Sequence, residues 1–362
     1  MSYKTFLVGT SEKKIYSCRL STSGQIELLG ETLSGNGSTW LYPRGDLLYA
    51  VNEHDNKIQI FTIDDRFLGK LTSLNIVSAR GGSPCFLDID PTGKWLAITN
   101  YGQFGPSNIV LLPLNDKGMP DDHNAQVLTI DGRGPTSIFT QLLFKFRIAN
   151  RDRQHESHIH QVLFYQDFLY VTDMGTDTLS TYRLNDVAGE IQLIGDRFRT
   201  HAGAGPRHLV FHPTKPFAFV CNELDSSTSV YRVDTTSGKF EHQQTITTRQ
   251  QNLQDSNTRN HPAEIQLSPD GNLLLVSNRR DCNIVVYKFN SDDEQSLNIK
   301  EHLDCHGSCT SHFTFDPSGT FLLLANTKSN NVTCFSYCSE KDTFEFVSQL
   351  ENIQKPEHIV FL

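Results

Sequence analysis

Arg207 and Glu223 bracket two short apolar runs, Gly205-Pro206-Arg207-His208-Leu209-Val210-Phe211-His212-Pro213 and Phe217-Ala218-Phe219-Val220-Cys221-Asn222-Glu223. A Gly-Pro turn enters the first run, a His-Pro turn leaves it, and a polar Asn-Glu pair ends the second. If the runs pair as an antiparallel hairpin, the guanidinium and the carboxylate fall at one end of the sheet. A permanent cation beside a carboxylate suits work on an anionic substrate, although an isolated pair of this kind describes a loop-edge salt bridge equally well. Comparable strand ends add His158 and His160 in Ser157-His158-Ile159-His160, which share one strand face at i, i+2. They also add Asp173, His208, Glu264, Asn278 and Arg279. An imidazole supplies a general base near neutral pH, and arginines supply charge for an oxyanion, a carboxylate or a phosphate.

A repeat positions these residues. Apolar runs ending in a small polar signature recur at Gly9, Asn52, Asn100, Asp173, Asn222, Asn278 and Asn326, mostly 43 to 56 residues apart with one step of 73. Each is followed by an alternating strand such as Val230-Tyr231-Arg232-Val233 or Ile284-Val285-Val286-Tyr287. Several are preceded by a strand ending in a turn such as Asp90-Pro91-Thr92-Gly93, Ser268-Pro269-Asp270-Gly271 or Asp316-Pro317-Ser318-Gly319, where Pro fixes φ and Gly opens the turn. An apolar period of two excludes a helical solenoid, and three strands plus a variable fourth at this spacing predict a propeller blade.

The expectation is an all-β, seven-bladed β-propeller of four-stranded blades, one domain over residues 1–362, with polar strand ends from several blades gathered at one end of the channel. The first unit lacks its innermost strand, and Pro356-Glu357-His358-Ile359-Val360-Phe361-Leu362 matches the missing piece, so the C-terminal strand should join the N-terminal blade and close the ring. The long step marks an insertion at about 131–155. Its apolar stretch 138–146 suits a cap, a subunit contact or a segment foreign to the mature product.

A net charge of −9 argues against nucleic acid and anionic membranes as partners and leaves a small anionic substrate held by dedicated arginines. The N-terminus runs into a strand-like Thr5-Phe6-Leu7-Val8 without a signal pattern, and no apolar run nears the ~18 residues of a spanning helix, so a soluble cytoplasmic protein is expected. The eight cysteines lie mostly in strand runs, and Cys305/Cys309 and Cys334/Cys338 are only loosely zinc-like. Neither a metal nor a cofactor is expected; oligomerisation is left open.

Ser157-His158-Ile159-His160, Gly205-Pro206-Arg207-His208, Cys221-Asn222-Glu223-Leu224, Ala263-Glu264-Ile265 and Ser277-Asn278-Arg279 together resemble the seven-bladed propeller lactonases, a family that includes bacterial 6-phosphogluconolactonase and the fungal carboxy-cis,cis-muconate cyclase. The resemblance implies a catalytic set of one paired histidine, with His160 preferred to His158, together with Arg207, Glu223 and Arg279. His158, Asp173, His208, Glu264 and Asn278 are then candidate substrate contacts. One departure is Thr310-Ser311-His312-Phe313, where the family has a Pro-Arg pair. The implied activity is metal-independent hydrolysis of a sugar-derived lactone, first 6-phosphogluconolactone to 6-phosphogluconate. A lactonising cyclase and a non-catalytic propeller that binds partners by its rims are the competing readings.

Overall fold

The computed structural model describes residues 3–134, 153–185, 187–250, 252, 260–292 and 296–362, so the apolar stretch 138–146 lies outside it. Each sequence repeat forms an antiparallel sheet, seven in all; six have four strands, and the sheet beginning at Ile159–Tyr165 gains a short fifth, Phe198–Arg199. The second strands Trp95–Asn100, Phe168–Asp173, Phe217–Asn222, Leu273–Asn278 and Phe321–Asn326 are buried at every position, which explains why they read as unbroken apolar runs. Fourth strands such as Lys70–Ser78 are largely exposed and carry the polar residues. Glu53–Asp55 forms a short 3-10 turn.

The chain divides into two compact units, residues 1–76 with 249–251 and 263–362, and residues 77–248 with 252–262. In the first unit, Pro356–Phe361 pairs antiparallel with Lys4–Thr10, matching Phe6 with Phe361 and Val8 with Ile359. The C-terminal strand thereby becomes the missing strand of the first sheet. Phe6, Val8 and Ile359 pack with Tyr16, Leu323 and Val332 in one buried cluster.

The repeated polar signatures have local duties. The Asp316 side chain accepts the backbone N–H groups of Thr320 (2.8 Å) and Phe321 (2.7 Å), fixing the turn into its second strand. At the far end of such strands an asparagine bridges the hairpin: Nδ2 donates from Asn52 to Gln59 (3.1 Å), from Asn100 to Asn108 (2.8 Å), from Asn222 to Ser227 (2.9 Å) and from Asn278 to Asn283 (2.8 Å). Asn278, a candidate ligand contact in the sequence, thus braces its hairpin.

One feature is invisible without register. Where first strands pair with second strands, the alignment skips one residue near the strand start: Thr39, Cys85, His160, Arg207, Ser311 and Glu357. Such bulges bend the strand and re-aim the side chain they release from the pleat.

Candidate active site

His160 and Arg207 occupy the same bulge position of consecutive sheets, Ile159–Tyr165 and Pro206–Phe211, both in the second unit. His158 lies outside the strand. The two histidines, inseparable by spacing, are thus distinguished by register, and it is His160 that is equivalent to Arg207.

Arg207 Nε lies 3.1 Å from Glu223 Oε2, and Glu223 is 2% exposed. The loop carrying Glu223 is pinned to the turn feeding Arg207 by Glu223 N–H to Gly205 O (2.9 Å) and Leu224 N–H to Ala204 O (3.0 Å). Gly205 has φ +63°, and a Cβ there would meet the Leu224 side chain at 2.4 Å, so only glycine allows this crossing. Arg207 Nη1 is 3.4 and 3.3 Å from the two ring nitrogens of His208, a near-equality that lays the guanidinium over the imidazole face rather than in line with one lone pair. The His208 ring then meets His160 edge-on at 4.9 Å and Phe86 at 5.4 Å.

A second guanidinium arrives from the end of the insertion. Arg153 Nη1 donates to Glu223 Oε1 (2.6 Å), its Nε donates to the Tyr101 hydroxyl (2.8 Å), and its Nη2 lies 3.0 Å from Met174 Sδ. His261 Nδ1 is 3.3 Å from the same Glu223 oxygen. Burial pulls the Arg153 pKa down, but the Glu223 charge and Tyr101 more than reverse it, leaving it above the ordinary arginine value. Burial raises the Tyr101 phenol, with Arg153 opposing. Two guanidiniums therefore share the one Glu223 carboxylate.

Asp177 couples the two arginines. Its Oδ1 accepts Gly205 N–H (2.8 Å) and Gln154 Nε2 (2.7 Å), and its Oδ2 accepts Gly203 N–H (2.8 Å), so one carboxylate holds both the residue beside Arg153 and the turn before Arg207. Burial raises its pKa to about 6 against the pull of these bonds.

His158 stacks on Tyr101 at 4.6 Å with an 18° interplanar angle, and its Nδ1 is 2.9 Å from the Tyr101 carbonyl oxygen. Both line a cleft of about 590 Å³ with Gly102, Gln103, Arg153, His155 and Glu156. Asp173 holds this loop: Oδ1 accepts the N–H groups of His158 (2.9 Å) and Gly175 (2.9 Å), and Oδ2 accepts the Ser157 hydroxyl (2.7 Å).

His160, Arg207, His208 and Glu223 are thus linked by contact. The remaining expected residues, Arg279, Glu264 and Asn278, belong to the other unit. There Arg279 follows Asn278 and opposes the burial that raises the Cys309 thiol, and buried Glu264 faces His312 Nε2 at 3.8 Å.

Sequence reasoning missed Tyr101, Arg153 and His261. Tyr101 had a signal, since it follows the strand-ending Asn100 as Glu223 follows Asn222 and Arg279 follows Asn278. Arg153 had none.

Residues 5–361 match the family described as "Lactonase, 7-bladed beta-propeller". A 6-phosphogluconolactonase of Formosa agariphila is 30% identical over 327 residues, covering 86% of this chain and 85% of its own, and one of Bacillus subtilis is 26% identical over 320 residues, covering 87% and 84%. Among solved structures, the periplasmic gluconolactonase PpgL of Pseudomonas aeruginosa superposes with a TM-score of 0.86 at 22% identity, covering 100% of this chain and 99% of its own; at that identity the likeness speaks for the fold.

Proposed function

We propose, from the premise that this chain belongs to the seven-bladed β-propeller lactonase family, that its substrate is a sugar-derived lactone carrying an anionic group, specifically 6-phosphogluconolactone, opened to 6-phosphogluconate without a metal. The two relatives named 6-phosphogluconolactonase support the choice of lactone. The observation that carries the reading is the run of contacts from His160 through His208 and Arg207 to Glu223 and Arg153.

In this reading His160 takes a proton from water as the water oxygen attacks the lactone carbonyl carbon. Arg207 stabilises the oxyanion that develops on the carbonyl oxygen. The ring C–O bond then breaks, and the proton returns from His160 to the departing alkoxide, leaving a hydroxy acid. Glu223 is committed to both guanidiniums and to His261, so its role is to orient them. Arg153 holds the remote phosphate, using a planar fork that a lysine lacks. The reaction is assigned to the cytoplasm, which cell fractionation tests.

The deciding experiment supplies freshly generated 6-phosphogluconolactone beside carboxy-cis,cis-muconate, the unphosphorylated gluconolactone and a no-enzyme control. Faster consumption of the phosphorylated lactone, undiminished after exhaustive chelation, is expected. Turnover of the muconate alone, or of neither lactone, overturns the reading.

A further inference from the structure

The loop just before the His160 strand holds a donor set that the hydrolysis does not use. His155, Glu156 and His158 each offer one ligand atom, and these atoms lie within 4.8 Å of one another; this is the one such group of three among the described residues. We infer that this triad is a binding site for a divalent transition ion of the zinc class at the cleft, separate from the hydrolytic step.

Three features support it. First, two imidazoles and a carboxylate form a donor set that zinc accepts, and it leaves a fourth tetrahedral position open. Second, His158 is fixed in place with one nitrogen to offer: its Nδ1 sits 2.9 Å from the Tyr101 carbonyl, its ring is stacked on Tyr101, and Nε2 is the nitrogen outside that bond. A metal-binding histidine characteristically donates its other N–H to a carbonyl or carboxylate, which fixes both tautomer and ring direction. Third, the backbone under the donors is rigid. Asp173 holds His158 N–H and the Ser157 hydroxyl, and a Cβ on Gly175 would meet the Glu156 carbonyl oxygen at 2.0 Å and His158 N at 2.6 Å, so the loop lies directly against Gly175.

The remaining adjustment is small. Tetrahedral zinc at about 2.0–2.1 Å from each donor brings donors to about 3.3 Å from one another. His155 Nε2 and Glu156 Oε1 are already 3.2 Å apart, and both side chains are exposed and able to change rotamer, whereas His158 is buried and fixed. Arg153 lines the same cleft, and its charge is countered by Glu223 at 2.6 Å. The eight cysteines are a competing source of metal affinity, and the test must separate them.

The full-length chain is loaded with Zn²⁺ and, in parallel, with Co²⁺ under reducing conditions, and dialysed against a weak chelator; bound metal is counted, and the cobalt spectrum recorded. The expected result is one ion per chain, ligand-field bands without a thiolate-to-metal charge-transfer band, and affinity at least tenfold weaker in His155→Ala and in Glu156→Gln. Both changes are on exposed side chains, so folding, followed by circular dichroism, should be unaffected. Gly175→Ala, which displaces the loop without removing a donor, should also weaken binding. The inference is overturned if the wild type retains no ion, if a thiolate band accompanies the ion, or if the His155→Ala, Glu156→Gln double variant binds as well as the wild type. The readout is metal content, so the outcome is independent of which lactone is hydrolysed.

Discussion

The sheet beginning at Pro206–Phe211 and the sheet beginning at Thr310–Phe315 share one framework and differ in what it carries. In each the first strand bulges at its second residue, a histidine follows, and the second strand ends in asparagine. In the former the bulge residue Arg207 reaches Glu223, the residue after Asn222, at 3.1 Å. In the latter, Ser311 reaches Thr327, the residue after Asn326, with hydroxyl oxygens 2.7 Å apart. An ion pair and a hydroxyl pair thus occupy equivalent positions. The histidines diverge accordingly: His208 lies under a guanidinium, whereas His312 packs at 4.1 Å from His358, which itself lies 4.1 Å from Trp40. Bulge and asparagine set up the same position in both sheets; the residue placed there decides whether an ion pair or a hydroxyl pair forms.

The largest effect is expected at His160. His160→Ala is expected to lower kcat by about 10²–10⁴-fold with the fold intact, removing the base. Arg207→Ser, which copies the Ser311 arrangement, should cost about 10²–10³-fold in kcat/KM. Arg207→Lys should recover only part of this, because the fork laid over His208 is lost though the charge is kept. Arg153→Ala should raise KM for a phosphorylated lactone by about 10- to 100-fold and alter KM for an unphosphorylated one far less. Equal effects on both lactones would remove Arg153 from phosphate recognition.

The smallest effect is expected at His358, beside the hydroxyl pair's histidine His312. Burial holds the His358 pKa down at about 3, well below its ordinary value of 6.5. Below pH 6.5 the unfolded chain binds a proton that the folded chain refuses, so this histidine's contribution is complete above 6.5 and is lost progressively as pH falls towards 3. Denaturant titrations across that window should show His358→Leu taking up one proton fewer on unfolding than the wild type. Asp177 has the opposite sign, since its raised pKa makes the folded state the better proton binder between its ordinary 3.8 and about 6, and stability attributable to it falls as pH rises through that range.

Most of the framework was legible in sequence because it rests on local chemistry. Apolar period, Asp-Pro-x-Gly turns and strand-ending asparagines are written within a few residues of where they act, and the likeness of 356–362 to 206–211 identified the strand that completes the first sheet. The site was legible only where charge type announced it, as at Arg207 and Glu223. Whether His158 or His160 matches Arg207 depends on a one-residue slip in strand register, which composition does not encode. Arg153 was hidden for another reason: it belongs to an insertion with no counterpart in the repeat, and only the fold brings it to Glu223.

The pairing of Pro356–Phe361 with Lys4–Thr10 also governs how the protein can be made. Lys4–Thr10 is made long before its partner Pro356–Phe361, and at about 5–20 residues per second the wait between them is on the order of 20–70 s. Throughout it, the Lys4–Thr10 edge, with Phe6, Leu7 and Val8 destined for full burial, has no neighbour on one side. Translation speed and holdase chaperones should therefore affect yield more through this strand than through the other sheets, which are built from consecutive strands and close on themselves as they emerge.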